Sequence, residues 1–435
     1  MMIKKVNLLI IIIFLLSLLL RLYFCFDKNL AVTDEGNYYA YARTLLEERA
    51  FKAEGQPTAY ITPLYPLFLA GIFYFFGYEN LIYARIAHAL LGAIVCLLIY
   101  FIAKEAMGKP VAVLTFFLMA IHYYFIKYGV YLLSENLFIF WVALSVLFLI
   151  KFWKRPNYRE AVLFGLFCSL ATLTRSAYFL FPFMVIAILW FMPNFIKIDY
   201  RKLRKFSLII ILSVIFPMSI WTVRNYIVFK SFIPAGTEAG IVLYSAYNPP
   251  QGKVFDASPE DEVALKAYKM SEVECSRFLL KQTLLSIKNE PSKIYKYIPV
   301  KIMTFFSIFD WISFGGTKGV YNFSTAFILP LSFLGIILMF KKQYSALNFI
   351  LLFPVIYFLF ITIAIMGVPR TRLPVEPYLI IFAAFFMNYI YKKSGLKPAV
   401  ICGFTFWYAL NFLFYLNSSS IRVFAKTFLQ KIGLW

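Results

Sequence analysis

Eleven apolar runs divide this chain, and together they exclude a water-soluble fold. They lie near residues 6–20, 82–103, 111–126, 133–150, 161–174, 176–193, 206–228, 321–340, 346–366, 374–391 and 398–416. A helical crossing of the bilayer needs roughly 20 apolar residues, so most of the 435 residues are accounted for by spans and short connections. Composition agrees. Hydrophobic residues make up 62% and charged residues 15%, against about 45–50% and about 25% in soluble domains. Disorder, collagen and a disulfide scaffold are excluded. The expected architecture is an all-α polytopic membrane protein with about 11–13 transmembrane helices, interfacial helices on the outer side and a small outer loop domain.

The net charge of +22 does not form a soluble basic stripe. The bases stand between apolar runs, where membrane topology explains them and nucleic acid does not. Lys4/Lys5, Lys104/Lys109, Lys151/Lys154/Arg155/Arg159, Lys197/Arg201/Lys202/Arg204/Lys205, Lys341/Lys342 and Lys392/Lys393/Lys397 fall in alternate connections. The positive-inside rule makes those connections, and the N-terminus, cytoplasmic. Eleven spans then put the C-terminus outside. The run after Lys4 and Lys5 has no small-x-small cleavage site behind it, so it reads as a retained first span.

Two outer segments are long. The first, 27–81, ends in the apolar stretch Pro63–Phe76, which is short for a span and interrupted by proline. The second, about 230–320, carries a charged helical stretch over 259–287, and Ser258-Pro259-Glu260-Asp261 has the make-up of a helix start. Residues 293–316 are apolar but broken by Lys296, Lys301 and Asp310. They read as an amphipathic or re-entrant helix on the outer surface. The expected divisions are 1–229, including the first outer loop, then the loop region 230–320, then the helices of 321–435.

Cys25, Cys96, Cys168, Cys275 and Cys402 are widely spaced, with no CxxC, and read as free packed thiols. His88 and His122 each stand alone on an apolar segment, so no metal-ligand spacing is present.

The charges that matter stand at the outer ends of the spans. Asp34 and Glu35 follow the first, in DEGNYYAYARTLLEE. Arg85 opens the second, Lys127 and Glu135 flank a later outer turn, Arg175 sits in Leu173-Thr174-Arg175-Ser176-Ala177, Arg224 ends the long span, and Arg370 and Arg372 share PRTRLP. Any one of these bases can snorkel to water or pair locally. Bases in nearly every outer turn, against the positive-inside rule, instead point to an anionic group held at that membrane surface. Arg is suited to phosphate because its planar fork donates two parallel hydrogen bonds. Asp34-Glu35 on its own reads equally well as an acidic first turn of a helix.

These pieces, in this order, resemble the GT-C superfamily of polyprenyl-phosphate-dependent membrane glycosyltransferases. The resemblance is closest to the family 39-like group of protein O-mannosyltransferases and lipid A aminoarabinose transferases. The acidic pair Asp34-Glu35 matches the motif after the first span, and Thr62-Pro63-Leu64-Tyr65-Pro66 the Pro-Leu-Tyr segment. Arg85, Glu135 and Leu173-Thr174-Arg175 match charged positions at later span ends. WTVRNYIVFKSFIPAG, with Tyr244 and YNPPQG after it, and PRTRLPVEPYLI match two further segments. One departure is plain: lipid A aminoarabinose transferases carry a Lys just before the Pro pair, where Ile61 stands in this sequence.

The resemblance implies an inverting transfer in which a sugar leaves a polyprenyl monophosphate for a hydroxyl or amine. Asp34 would be the general base, and Glu35 or Glu135 would orient the sugar or acceptor. Arg85, Lys127, Arg175, Arg224, Arg370 and Arg372 would hold the donor phosphate, while Tyr38, Tyr39, Tyr65 and Tyr244 would contact sugar or lipid. It implies no required cofactor, with a divalent Mg or Mn ion left open and no metal-ligand set assigned. The partners implied are a lipid-linked sugar, membrane lipids and a lipid A, glycolipid, glycan or protein acceptor, in a monomer of the bacterial inner membrane whose site faces the periplasm. A lipid flippase and a non-catalytic assembly protein remain as alternatives. The first puts ionisable groups at mid-membrane, often with internal repeats, and the second needs the bases but not Asp34.

Overall fold

The computed structural model describes residues 2–26, 33–191, 198–248, 261–310, 320–342, 346–365, 367, 369–395 and 397–431. Each of the eleven apolar runs is mainly helical over its described residues. In chain order the helices of the N-terminal half are α1 (Met2–Cys25), α2 (Thr33–Glu47), α3 (Leu64–Phe76), α4 (Ile82–Met107), α5 (Lys109–Ile121), α6 (Tyr123–Lys127), α7 (Ser134–Lys154), α8 (Tyr158–Thr174), α9 (Phe181–Phe191) and α10 (Tyr200–Phe229). The outer loop region contributes α11 (Ala239–Tyr247), α12 (Glu262–Ala267), α13 (Glu272–Asn289), α14 (Ser292–Lys296) and α15 (Ile298–Phe305). The chain then continues with α16 (Phe323–Lys341), α17 (Ala346–Ile350), α18 (Leu352–Ala364), α19 (Glu376–Ser394), α20 (Pro398–Leu416) and α21 (Ser418–Lys431). Among the described residues seven helices are long and apolar enough to cross a membrane, and Leu64–Phe76, Lys109–Ile121 and Ser176–Phe191 are shorter apolar ones.

The breaks follow local chemistry. Gly77 and Gly108 take positive φ (75° and 86°) and close α3 and α4, a conformation that costs glycine little. The run 111–126 bends at His122, whose backbone is extended between α5 and α6. The stretch 63–76, short for a span, folds as the 13-residue α3.

The outer loops differ from expectation in two places. The charged stretch over 259–287 is two helices. Asp261 caps α12 by accepting from Ala264 N–H at 2.7 Å, and Ser271 starts α13 with a capping box to Glu274. Ser258, Pro259 and Glu260 lie outside the described residues. Within 293–316, α15 has eight residues, far short of a crossing. It is amphipathic, with Val300, Lys301 and Phe305 buried and Met303 47% exposed, and it packs against the short 3-10 turn Pro369–Arg372. A two-residue strand, Phe309–Asp310, then pairs antiparallel with Val320–Tyr321.

One apolar core runs from Ile13 in α1 to Phe385 in α19. The helices after the outer loops share that core with those before it, through α19 against α5. A buried arginine sits beside it. Arg21 is fully buried, with Nη1 donating to Ser17 O at 2.8 Å and Nη2 to Cys96 Sγ at 3.2 Å. Gly92 and Gly129 make its room, since a Cβ at either would lie 2.8 and 2.9 Å from Arg21 Nε. All five cysteines are free, and four are buried. Cys402 is exposed on α20 rather than packed.

Candidate active site

Helix α2 begins at Thr33, so Asp34 and Glu35 occupy its first turn, where the helix dipole favours acids. Consecutive residues of a helix point about 100° apart, and the two carboxylates diverge. Glu35 turns inward, accepting from Leu132 N–H at 2.8 Å and from Arg85 Nη2 at 3.1 Å. Asp34 turns outward, and its side chain stays 47% exposed.

Helix α7 begins at Ser134, which puts Glu135 in its first turn. That carboxylate is 1% exposed and takes Arg175 Nη1 at 2.5 Å together with Arg370 Nε. Arg175 is the residue between α8 and the 3-10 turn Ser176–Tyr178. Arg370 lies in the Pro369–Arg372 turn and also donates Nη1 to Asp34 Oδ2 at 2.6 Å. Four chain segments therefore meet in an alternating series, Asp34, Arg370, Glu135, Arg175. Tyr38 O–H and Ser134 Oγ lie 3.0 Å apart beside it. Ser176 Oγ donates to Glu238 Oε1 at 2.8 Å and adds a third carboxylate.

Exposure falls from Asp34 through Arg175 (35%) and Arg370 (20%) to Glu135. In contact order the series is therefore wet at both ends, Asp34 and Arg175, and dry at Glu135 within it. Burial disfavours charge on Arg370, but Glu135 and then Asp34 outweigh it and hold its pKa well above the ordinary value. Arg175 is raised in the same way, with Glu135 overcoming burial. Burial raises the Glu238 carboxyl in spite of Ser176 and Arg175, and burial likewise raises Tyr38.

Other expected residues have other work. Arg372 is fully buried and donates to Glu376 Oε1 at 2.9 Å, to Ser307 O at 2.9 Å and to Phe305 O. The structure does not bring it to the cluster, because Glu376 four residues on holds it inside. Arg224 clamps the first outer loop, donating to Thr58 O at 2.8 Å and Phe51 O at 3.0 Å with its guanidinium 4.9 Å over the Trp221 ring. Arg85 and Glu35 pair with each other, and Glu35 holds the turn at Leu132. Lys127 lies over the Tyr123 ring at 5.0 Å. Tyr65 is buried with its hydroxyl 3.1 Å from His88 Nε2, Tyr39 packs on Phe73 and Tyr78, and Tyr244 donates to Asp261 in the second loop. Tyr38 alone of the four tyrosines borders the cluster.

Glu238 was not singled out from the sequence. Its signal was available: it is the lone acid between Asp199 and Asp256, two residues past the SFIPAG segment. Glu272 was missed too. It ties the outer loops together, accepting from Thr58 Oγ1 at 2.6 Å, Ala59 N–H at 2.9 Å and Thr237 Oγ1 at 2.7 Å. Among the described residues no three His, Cys, Asp or Glu side chains gather as a metal set.

Comparison with known proteins bears on this arrangement. Residues 57–221 match the profile of the dolichyl-phosphate-mannose-protein mannosyltransferase family. That range includes Arg85, Glu135 and Arg175, and ends before Glu238 and Arg370. No curated protein matches by sequence. Among solved structures, the apo oligosaccharyltransferase of Archaeoglobus fulgidus superposes with a TM-score of 0.58 at 14% identity, over 94% of this chain and 54% of that one. The same archaeal enzyme in complex with an inhibitory peptide and a dolichol-phosphate gives 0.57, with the same identity and coverage. ArnT from Cupriavidus metallidurans bound to undecaprenyl phosphate matches more loosely, at 0.42 and 13% identity over 86% of this chain and 77% of that one. The chain spans about half the length of the archaeal enzyme. It therefore shares its fold with part of the archaeal oligosaccharyltransferase and, over residues 57–221, resembles the dolichyl-phosphate-mannose-protein mannosyltransferase family.

Proposed function

We propose that this chain is an inverting glycosyltransferase that moves a sugar from a polyprenyl monophosphate to a hydroxyl or amine acceptor at the extracytoplasmic membrane face. The observation that carries the reading is Asp34: a half-exposed carboxylate in an otherwise shielded charge series, tied to Arg370 at 2.6 Å. Within the four-residue series the charges balance, with Asp34 and Glu135 against Arg175 and Arg370. A donor phosphate competes for Arg370 and Arg175, whose guanidinium forks suit it. Arg370 then turns from Asp34 to the phosphate and frees that carboxylate to act as a base.

The step balances simply. The acceptor oxygen or nitrogen attacks the anomeric carbon opposite the phosphate and gives its proton to Asp34. The bond from the anomeric carbon to the phosphate oxygen breaks, and the polyprenyl phosphate leaves with the charge that Arg370 and Arg175 stabilise. Glu135 holds both guanidinium groups in place, and Tyr38 and Glu238 border the space for sugar or acceptor. In this reading the two arginines supply the phosphate's countercharge, so no divalent ion is assigned a step. The distribution of lysine and arginine between the connections supports the orientation with the cluster on the non-cytoplasmic face, and the bacterial inner membrane rests on the resemblance alone.

The test is transfer by the purified protein in detergent. It is offered a panel of labelled polyprenyl-monophosphate sugars, with a total lipid extract or a protein mixture as acceptor. Label moving from one donor supports the reading and names the sugar. Donor binding without transfer from any donor, to either acceptor pool, refutes it in favour of a lipid-handling role.

A further inference from the structure

A second site lies away from the charge series, between α5, α16, α19 and α20. It is an apolar cavity of about 400 Å³. On α5 it is lined by Leu114, Phe117, Leu118 and Ile121, the i, i+3, i+4, i+7 stripe of one helix face, and just past its end by His122. Phe117 and Ile121 are 41% and 42% exposed, so the cavity is a groove open on its membrane side.

Its polar groups gather at one end. His122 is 2% exposed, and its Nδ1 has no hydrogen-bond partner among the described residues. Nε2 faces Glu376 Oε2 at 3.7 Å, which favours the ring proton on that side and leaves Nδ1 as an acceptor. Ser324 Oγ accepts from Tyr123 N–H at 3.1 Å, which leaves its own proton to donate. An unspent acceptor and an unspent donor at the head of an otherwise apolar slot are costly unless something polar meets them.

The depth selects the occupant. From His122 to Leu114 is eight residues of helix, about 12 Å at 1.5 Å per residue. One leaflet is half of a hydrocarbon core about 30 Å thick, so the groove reaches from the leaflet surface nearly to the bilayer midplane. The polar end is on the Asp34 side, because α5 runs toward the turn that presents Leu132 N–H to Glu35. We propose that this groove holds one acyl chain of a glycerolipid from that leaflet, with lipid ester and hydroxyl oxygens at Ser324 and His122. A polyprenyl tail is the competing occupant. Being longer, it would continue past Leu114 and Phe117 into the neighbouring recess between α1 and α5, lined by Leu9, Ile12 and Leu16. The site stands independently of the glycosyl-transfer reading.

The experiment places the full-length protein in nanodiscs of phosphatidylethanolamine and phosphatidylglycerol. A trace of phosphatidylglycerol carries a diazirine in one acyl chain, and photolabelled peptides are mapped by mass spectrometry. Labelling is expected to concentrate at 114–122 and 323–328 over the lipid-facing surface around Leu208 and Leu212, which are 57% and 56% exposed. Leu114→Trp, which fills the groove, should lower that labelling to the level of the Leu208 and Leu212 surface. Ile328→Trp fills the slot from the opposite wall and serves if the first variant does not fold. Even labelling of both surfaces, or labelling unchanged by both substitutions, overturns the proposal. So does displacement by a diazirine-tailed polyprenyl phosphate that labels Leu9–Leu16 as well, which would assign the groove to that lipid.

Discussion

Glu135→Gln tests whether the charge series is an integrated structure. Gln keeps the shape and one acceptor, so the change isolates the negative charge. Glu135 is 1% exposed and answers two guanidinium groups at once. Removing one partner of a buried ion pair costs about 3–5 kcal/mol, because the other charge is left without compensation. Here the residual charges are partly wet: Arg175 is 35% exposed and Arg370 is 20% exposed and keeps Asp34. The loss should therefore fall at or just below the low end, about 2–3 kcal/mol. The assay is reversible unfolding in mixed micelles, read against Glu105→Gln. Glu105 pairs with Lys154 at 2.6 Å, but both side chains are more than a third exposed, and such pairs contribute about 0–1 kcal/mol. Glu135→Gln no more destabilising than Glu105→Gln would refute the reading of Glu135 as the buried centre of the series.

Three further expectations follow from the same contacts. Arg372→Ala should be at least as destabilising as Glu135→Gln, since it leaves the buried Glu376 without its guanidinium countercharge, and unchanged stability with weakened donor binding would return Arg372 to the phosphate. Glu272→Ala should speed proteolysis and hydrogen exchange in 52–62 and 234–240 together, because the one carboxylate ties both to α13, and loosening of only one segment would contradict this. Burial lowers the Lys301 ammonium to about 8, with its Nζ donating to Ile363 O and lying over the Tyr247 ring. Between that value and the ordinary 10.5 the unfolded chain binds more protons, so this residue makes stability rise with pH across the window, and Lys301→Met should flatten that rise.

How much of this was legible in the sequence depends on what fixed each residue. The helices were, because eleven apolar runs leave the backbone no other partner in lipid. Asp34, Glu135 and Arg175 were, because each stands within a residue of a helix end and helix ends share a membrane level. Arg370 and Arg372 were not separable, since they are two residues apart in one short turn. Glu376 buries the second, and only the fold shows that the first crosses to Glu135 and Asp34. Arg224 was misleading for a similar reason, as its partners are carbonyls of a loop more than 160 residues earlier. Tyr65 gave no hint that His88 would take its hydroxyl. Glu238 reaches the cluster only because Thr237 and Glu238 N–H pair with Ala59 and Tyr60 carbonyls, a contact no local pattern encodes.

The central claim is that Asp34 removes the acceptor proton. Single-turnover transfer from the active polyprenyl-phosphate sugar, by wild type and by Asp34→Asn in detergent, tests it most directly, with donor affinity measured alongside. Asp34 is 47% exposed, so its loss should scarcely affect folding, and freeing Arg370 should leave donor binding intact or tighter. The transfer rate should fall by about 10²–10⁴, the range for a general base. Equal rates in the two proteins would remove Asp34 as the base.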